Sequence, residues 1–182
     1  MLILASSSPR RSELLTAAGI PFTIQSLPVD ESPLPGEDPA AFTLRLAHAK
    51  AAVVFAHNDH ATVLGADTIV VCDGEILGKP ADAADAARML AQLSGRAHQV
   101  ITGVAILSPA GVLTHAETTT VVMRAITPTE IVAYIATGEP MDKAGAYAIQ
   151  GGAAPFITRI DGDYSNVVGL PVDAVQRLLS QI

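Results

Sequence analysis

Helical and strand-like patterns alternate along this chain, and this alternation constrains the fold more than any other feature of the sequence. A nearly continuous apolar segment, Val63–Cys72, predicts a buried strand, and the Asp-Gly pair at Asp73 predicts a hairpin turn after it. Apolar residues at helical spacing predict one helix from Pro39 to about Ala56 and another over Ala81–Leu93. Elements that change type about every ten to fifteen residues are typical of α/β proteins. We therefore predict an α/β fold with a mixed central sheet.

The remaining elements are predicted from shorter signals, such as helix caps, turn residues and β-branched runs. Further strands are predicted at Met1–Ala5, Phe22–Leu27, Glu75–Leu77, Gln99–Leu107, Val112–Met123, Phe156–Ile160 and Val167–Leu170. Further helices are predicted after the Ser-Pro pair at Ser8 and the Thr-Pro pair at Thr127, and over Pro171–Leu179. No internal repeat or low-complexity tract divides the chain. We expect residues 1–182 to form one domain, a length within the usual range of about 100–200 residues.

Charge and hydropathy exclude several classes of partner. The chain carries 18 acidic and 11 basic residues, a net charge of −7, and has no basic run. This balance argues against binding long nucleic acid, although a few well-placed cations are enough for a single nucleotide. No segment approaches the ~18 uncharged apolar residues of a membrane span, so we expect no membrane partner.

The single cysteine, Cys72, cannot form an internal disulfide, and the N-terminus does not resemble a secretory signal. We therefore expect a cytoplasmic location.

The segment from Ser6 to Arg11 has the chemistry of an anion site. Three serines, a proline and two arginines follow the first predicted strand and begin a helix. Free backbone N–H groups and the positive end of the helix dipole favour an anion there, and arginine binds two phosphate oxygens at once. The spacing is not that of a P-loop. The alternative is an ordinary capped helix with solvated arginines.

Charged residues elsewhere suggest a second part of the same chemistry. Asp67 lies inside an apolar strand, where a carboxylate must be paired, bind a metal or accept backbone N–H groups at a bulge near Gly65. The predicted hairpin brings Lys79 back toward Asp67, where a lysine suits phosphate binding. Glu31 lies in an acidic, Pro-rich loop, and Lys50 lies among alanines on a predicted helix. Glu31, Lys50 and Lys79 each have a plain alternative as a solvated surface charge.

The loop around Gln150 offers groups suited to a nucleobase. The segment Asp142–Gly152 holds two charges, a tyrosine, a glutamine and three glycines. Glutamine carries both a donor and an acceptor, which suits the edge of a base. Aromatic residues make up only 4% of the chain, so base recognition is expected to depend on hydrogen bonds rather than stacking. The five histidines show no metal-binding spacing, and we interpret His98 and Cys72 as structural.

Eight segments in series resemble the Maf family of nucleoside triphosphate pyrophosphatases. They are ASSSPRRSELL, VDES, LRLAHAKA, VLGADTIVV, ILGKP, LSGRAHQVITGV, GEPMDKAGAYAIQGGAAPFI and GDYSNVVGLPV, and together they span nearly the whole chain. The resemblance implies a fold of the inosine-triphosphatase type, with a long twisted sheet and two lobes around a cleft that holds the nucleotide. It also implies hydrolysis between the α and β phosphates, a divalent cation and a homodimer.

The resemblance assigns a role to individual residues. It makes Asp67 the proton acceptor and has Glu31 and Asp67 hold Mg²⁺, or else Mn²⁺ or Co²⁺. Phosphate binding is implied for Ser6, Ser8, Arg11, Lys50 and Lys79. The loop DKAGAYAIQG resembles the branch of the family that prefers dTTP and UTP, whose specificity positions correspond to Arg10, Thr68 and Gln150.

Two alternatives remain at this point. One is a pyrophosphatase selective for another nucleotide, such as 7-methyl-GTP or a modified UTP. The other is a non-catalytic regulator that binds a nucleotide or a partner in cell division and septum formation. The joint presence of Asp67, Glu31, Lys50 and Lys79 argues against the second.

Overall fold

The computed structural model describes residues 1–182 and has a mixed α/β architecture with seven strands and six helices. The strands are β1 (Leu2–Leu4), β2 (Phe22–Ile24), β3 (Thr62–Cys72), β4 (Glu75–Leu77), β5 (Ala97–Ser108), β6 (Gly111–Met123) and β7 (Ile157–Asp161). The helices are α1 (Pro9–Ala17), α2 (Pro39–Phe55), α3 (Ala83–Leu93), α4 (Pro128–Ala136), α5 (Tyr164–Val168) and α6 (Val172–Leu179). None of the helices is long and apolar enough to cross a bilayer.

The strands form one mixed sheet in the order β2-β1-β3-β5-β6-β7, with β4 paired to β3. Strand β1 runs parallel to both β2 and β3, whereas β4 and β7 run antiparallel to their partners. The predicted α/β fold with a mixed central sheet is therefore confirmed.

Contacts within the chain define two compact units. The first unit comprises Met1–Thr68, Thr102–Glu117 and Gly169–Ile182, and the second comprises Ile69–Ile101 and Thr118–Val168.

The core of the first unit has two layers, one on each face of β1. Alternate residues of β1 point to opposite faces, so Leu2 and Leu4 belong to one buried cluster and Ile3 to the other. The first cluster includes Leu15 of α1, and the second includes Ala47 of α2. Burial on both faces explains why β1 is a continuous apolar run.

Helix α2 lies unusually close to the sheet because two strand positions lack a side chain. A Cβ atom on Gly65 of β3 would overlap the backbone of α2 at Ala47 and Ala51. A Cβ atom on Gly103 of β5 would likewise overlap the backbone at Thr43. These glycines therefore fix the distance between α2 and the strands beneath it.

One predicted strand is wrong. Residues 167–170 were expected to extend the sheet, but Val167 and Val168 lie in helix α5. The Asp163 carboxylate accepts hydrogen bonds from the backbone and hydroxyl of Ser165, each at 2.7 Å, which favours a helical turn. The Asn166 amide, fully buried, donates to the Val100 carbonyl oxygen at 3.0 Å. A buried polar residue thus anchors the short helix in the second unit.

Candidate functional site

A lysine that bridges two carboxylates lies at the centre of the first unit's polar groups. The Lys50 ammonium on α2 donates to Asp67 Oδ1 on β3 at 2.7 Å and contacts Glu31 Oε1 at 2.9 Å. Asp67 is only 8% exposed, and its hydrogen-bond partner is Lys50 rather than backbone N–H groups at a bulge. Gly65 and Asp67 are two residues apart on β3 and share a face, which is why the close approach of α2 at Gly65 brings Lys50 to Asp67.

Burial dominates the electrostatics of Asp67. Removal from water raises the pKa of the Asp67 carboxyl above its usual value, and the charges of Lys50 and Arg11 only partly oppose this effect. A carboxylate with a raised pKa is a stronger base than an exposed one. The position is therefore suited to accept a proton from a nearby water.

Arg11 is held rigidly beside Asp67 by three different acceptors. Its Nε donates to the Gly169 carbonyl oxygen at 2.9 Å, its Nη1 to Ser6 Oγ at 3.1 Å and its Nη2 to Thr68 Oγ1 at 3.1 Å. Burial lowers the pKa of the Arg11 guanidinium, whereas the Asp67 carboxylate raises it. These bonds keep the remaining N–H groups of a planar cation in a fixed orientation.

The serine-rich turn before α1 supports this arginine. The Ser6 hydroxyl is buried and also accepts a hydrogen bond from the Ser8 backbone N–H at 3.2 Å. Ser8 occupies the predicted N-cap position, and Pro9 is the first helical residue, but the Ser8 side chain makes no capping bond. The Thr68 hydroxyl, besides its bond from Arg11, lies 2.9 Å from Thr102 Oγ1.

The two carboxylates fit a magnesium-type site. Glu31 and Asp67 converge on a single cation, the Lys50 ammonium. No group of three or more acidic, histidine or cysteine side chains is placed to form a complete metal cage. Mg²⁺ commonly binds through one or two carboxylates and takes its other ligands from water and substrate phosphates. The donor set therefore fits a cation that binds together with a phosphate substrate.

One residue that the sequence did not single out holds the Glu31 loop in place. Arg45 on α2 forms a bidentate ion pair with Glu37, at 2.6 and 2.7 Å, and donates to the Ser32 carbonyl oxygen at 3.1 Å. The only sequence signal was its place on the same helix as Lys50, about one and a half turns earlier. Arg45 ties the loop that carries Glu31 to the helix that carries Lys50.

The other candidate residues, Lys79 and Gln150, belong to the second unit. Both side chains are exposed and form neither a hydrogen bond nor an ion pair. The backbone next to Lys79 is held by a hydrogen bond, since the Gly145 N–H donates to the Gly78 carbonyl oxygen at 3.1 Å. Arg10 lies in the first unit, on the first turn of α1, and is partly exposed.

Two predicted structural residues are buried in the second unit. His98 Nε2 lies 2.8 Å from the Tyr147 hydroxyl oxygen, and burial lowers the pKa of His98 to about 4. The histidine is therefore neutral at physiological pH. Cys72 is buried and unpaired.

Comparisons with known proteins show which family the whole chain matches. A family model described as "Maf-like protein" matches residues 1–182. A dTTP/UTP pyrophosphatase of Geobacter metallireducens is 58% identical over 173 residues, which cover 94% of this chain and 90% of that protein. One of Geobacter sulfurreducens is 54% identical over 183 residues, covering 100% and 96%.

The fold has a counterpart among solved structures. The structure of the Staphylococcus aureus Ham1 protein aligns with a TM-score of 0.56 at 12% identity, over 99% of this chain and 98% of that one. This likeness concerns the fold alone. The family match over the full length and the identity to the two Geobacter proteins establish that the chain belongs to the Maf family.

Proposed function

We propose that this protein is a nucleoside triphosphate pyrophosphatase that hydrolyses dTTP and UTP to the monophosphate and diphosphate. The observation that carries the proposal is the largely buried ion pair of the Lys50 ammonium and the Asp67 carboxylate beside Arg11. The exposed Glu31 carboxylate contacts the same ammonium. Such a cluster combines a base with cations that neutralise phosphate charge, which is what phosphoryl transfer requires. The names of the two Geobacter relatives support the choice of substrates.

The roles of the residues follow from their chemistry. Asp67 accepts the proton of a water whose oxygen attacks phosphorus, and the diphosphate leaves as the new P–O bond forms. Lys50 and Arg11 bind phosphate oxygens and offset the charge that develops on them. The Ser6 and Ser8 hydroxyls donate to the same groups, and Lys79 adds a further cation. The raised pKa of Asp67 supports its role as the base.

A divalent cation fits the Glu31–Asp67 pair. We propose Mg²⁺ as the ion, with Mn²⁺ and Co²⁺ as substitutes, held by these two carboxylates and by the phosphates of the substrate. When bound, such an ion neutralises phosphate charge and lowers the pKa of a water molecule. Lys50 would then bind a phosphate oxygen in place of one carboxylate and keep its role in charge neutralisation.

Specificity is assigned to Arg10, Thr68 and Gln150. Gln150 is exposed and has an unpartnered amide, which supports a role in hydrogen bonding to the base. Thr68 donates or accepts within the network of Arg11 and Thr102, which supports an influence through the position of the Arg11 guanidinium.

A substrate panel tests the proposed function. Purified protein is incubated with dTTP, UTP, CTP, ATP, GTP and 7-methyl-GTP in Mg²⁺ and separately in Mn²⁺, and the products are separated and quantified. We expect dTTP and UTP to give the highest kcat/KM, with monophosphate and diphosphate as the products. A preference for purine or 7-methylated substrates would overturn the choice of substrates. Binding without hydrolysis of any of them would favour the nucleotide-binding regulator.

Two further properties belong to this proposal. We propose a homodimer, which is implied by the resemblance and is tested by light scattering of the purified protein. We also propose that the protein acts in the cytoplasm, because its substrates belong to the nucleotide pool there. Cell fractionation tests this location.

A further inference from the structure

The backbone on both sides of Gln150 is anchored, although its own side chain is free. Two residues before it, the Ala148 N–H donates to the Tyr134 hydroxyl oxygen at 3.0 Å. Two residues after it, the Gly152 N–H donates to Glu139 Oε2 at 2.9 Å. Between these points the Gly151 N–H closes a turn onto the Ala148 carbonyl oxygen at 3.1 Å. The loop is thus fixed at both ends and in its middle.

The two anchoring side chains, Tyr134 and Glu139, are neighbours. Tyr134 is only 4% exposed, and its ring contacts Phe156 edge to face, with centroids 5.7 Å apart. Burial, and next the neighbouring Glu139 carboxylate, raise the pKa of Tyr134, so the hydroxyl stays protonated beside that carboxylate. Tyr134 comes from helix α4 and Glu139 from the turn that follows it. One short segment therefore supplies both anchors.

The two glycines after Gln150 are explained by the same pair. A Cβ atom on Gly151 would overlap the Glu139 carboxylate, and one on Gly152 would lie 3.0 Å from the Tyr134 ring. Because both positions lack side chains, the loop backbone can approach the anchors without displacing them. The sequence Gln-Gly-Gly thus combines a free amide with a backbone shaped to fit Tyr134 and Glu139.

We propose that Tyr134 and Glu139 are positioning residues that pre-organise Gln150 for recognition of the base. The inference rests on the proposed function, in which Gln150 hydrogen-bonds the base. A glutamine on a mobile loop loses backbone and side-chain freedom when it binds, and that loss weakens recognition. Anchoring the flanking backbone in advance removes the backbone part of this loss. Neither anchor touches the substrate, so their effect reaches it through Gln150.

The first test uses Tyr134→Phe, which removes only the hydroxyl and keeps the ring against Phe156. We expect KM for UTP to rise about fivefold, as for loss of one buried hydrogen bond, and kcat to change less than twofold. The preference for UTP over CTP falls by a similar factor. Tyr164→Phe is the matched control, because Tyr164 is an exposed tyrosine of the same unit. We expect it to leave KM, kcat and selectivity unchanged.

Glu139 offers a conservative rescue. Glu139→Gln keeps an oxygen that accepts from the Gly152 N–H, so we expect selectivity close to that of the unmodified protein. Glu139→Ala loses the acceptor and should match Tyr134→Phe. Equal loss in Glu139→Gln and Glu139→Ala would contradict an anchoring role.

A double variant distinguishes positioning from a general effect on folding. In a Gln150→Ala background, Tyr134→Phe should change neither KM nor selectivity further, because nothing remains to be positioned. A full additional effect in that background would overturn the inference while leaving the proposed function standing. If Gln150→Ala alone leaves the substrate ranking unaltered, base recognition by Gln150 is wrong, and the positioning role falls with it.

Hydrogen exchange provides a readout that does not depend on activity. We expect the Ala148 amide to exchange at least about fivefold faster in Tyr134→Phe than in Tyr164→Phe, since its hydrogen bond is lost. Unchanged exchange at Ala148 would overturn the anchoring itself, whatever the substrate of the enzyme.

Discussion

The two units of this protein hold the side chains that we propose as functional in opposite ways. In the first, Lys50, Asp67 and Arg11 are largely buried and already bonded to one another or to their neighbours. In the second, Lys79 and Gln150 are exposed and unpartnered, and the order lies in the backbone that carries them. Groups that stabilise developing charge gain from a fixed, partly desolvated position. A side chain that recognises a ligand binds it more tightly when it has no hydrogen bond within the protein to break first.

The units also differ in what they bury. The first buries charges, each offset by an opposite charge or by several acceptors. The second buries neutral polar pairs, such as His98 with Tyr147, which have a structural role. An unpaired buried charge is far more costly than an unpaired buried neutral group, so loss of one partner should affect the first unit more.

The largest effect is expected from Lys50→Met, which tests whether the first unit depends on its paired charges. Loss of the ammonium removes the cation that we propose binds phosphate, and it leaves Asp67 with Arg11 as its neighbouring cation. We expect kcat/KM for dTTP to fall by about 10²–10³-fold. Arg159→Met, which breaks an exposed ion pair with Asp161, is the control and should retain activity.

The same variant changes the pH dependence in a defined direction. Lys50 lowers the pKa of Asp67, so its removal raises that pKa further. A base is active when deprotonated, and its activity falls as the pH drops through its pKa. The acid limb of the kcat/KM profile should therefore move to higher pH in Lys50→Met. An acid limb at the same pH in both proteins would show that Asp67 is not the titrating base.

Gly65→Ala tests whether close approach of α2 creates the charge pair. The added Cβ atom would overlap the backbone of α2 and push the helix away from β3, which separates Lys50 from Asp67. We expect the free energy of unfolding to drop by about 3 kcal/mol, the upper end for overpacking, and activity to fall with it. Gly78→Ala has open space around the new methyl group and should leave the unfolding free energy unchanged. Equal stability of the two variants would contradict the role of Gly65.

Some of this site could be predicted from residue chemistry alone. Asp67 stood out because a carboxylate inside an apolar strand must have a partner, and the partner proved to be Lys50. The identity of this partner could not be predicted. Lys50 and Asp67 are 17 residues apart and meet only through the packing of α2 on β3. Arg45 and Tyr134 were missed for the same reason. In the sequence each is an ordinary helical residue, and only the structure shows the loop that it binds.

The fold was predicted best where local signals agree with tertiary packing. The Thr127–Glu130 capping box and the turn at Asp73 formed as expected. The error at residues 167–170 arose because two valines favour a strand, whereas the Asp163 turn and the buried Asn166 amide favour a helix. The local bonds of Asp163 and the tertiary bond of Asn166 together outweighed β propensity there.

The smallest effect concerns the neutral scaffold of the second unit. The pKa of His98 is about 4 when folded and 6.5 in an unperturbed histidine, so the unfolded chain takes up the proton first as the pH falls. This contribution to stability is complete above pH ~6.5 and decreases toward pH ~4. Between pH 8 and pH 5, we expect unfolding free energy to drop about 2 kcal/mol more in the unmodified protein than in His98→Gln. Chemical denaturation at both pH values measures the difference, and His60→Gln, at an exposed position, is the control.

The most direct measurement is a comparison of turnover and binding in Asp67→Asn, which keeps the size of the side chain and removes its basicity. Turnover of dTTP at saturating substrate and Mg²⁺, and the dissociation constant for dTTP by calorimetry, are measured on the same preparation. With Asp67 as the base, turnover falls at least ~10²-fold while the dissociation constant stays within about threefold. Turnover equal to that of the unmodified protein, or a loss of binding as large as the loss of turnover, would contradict that role.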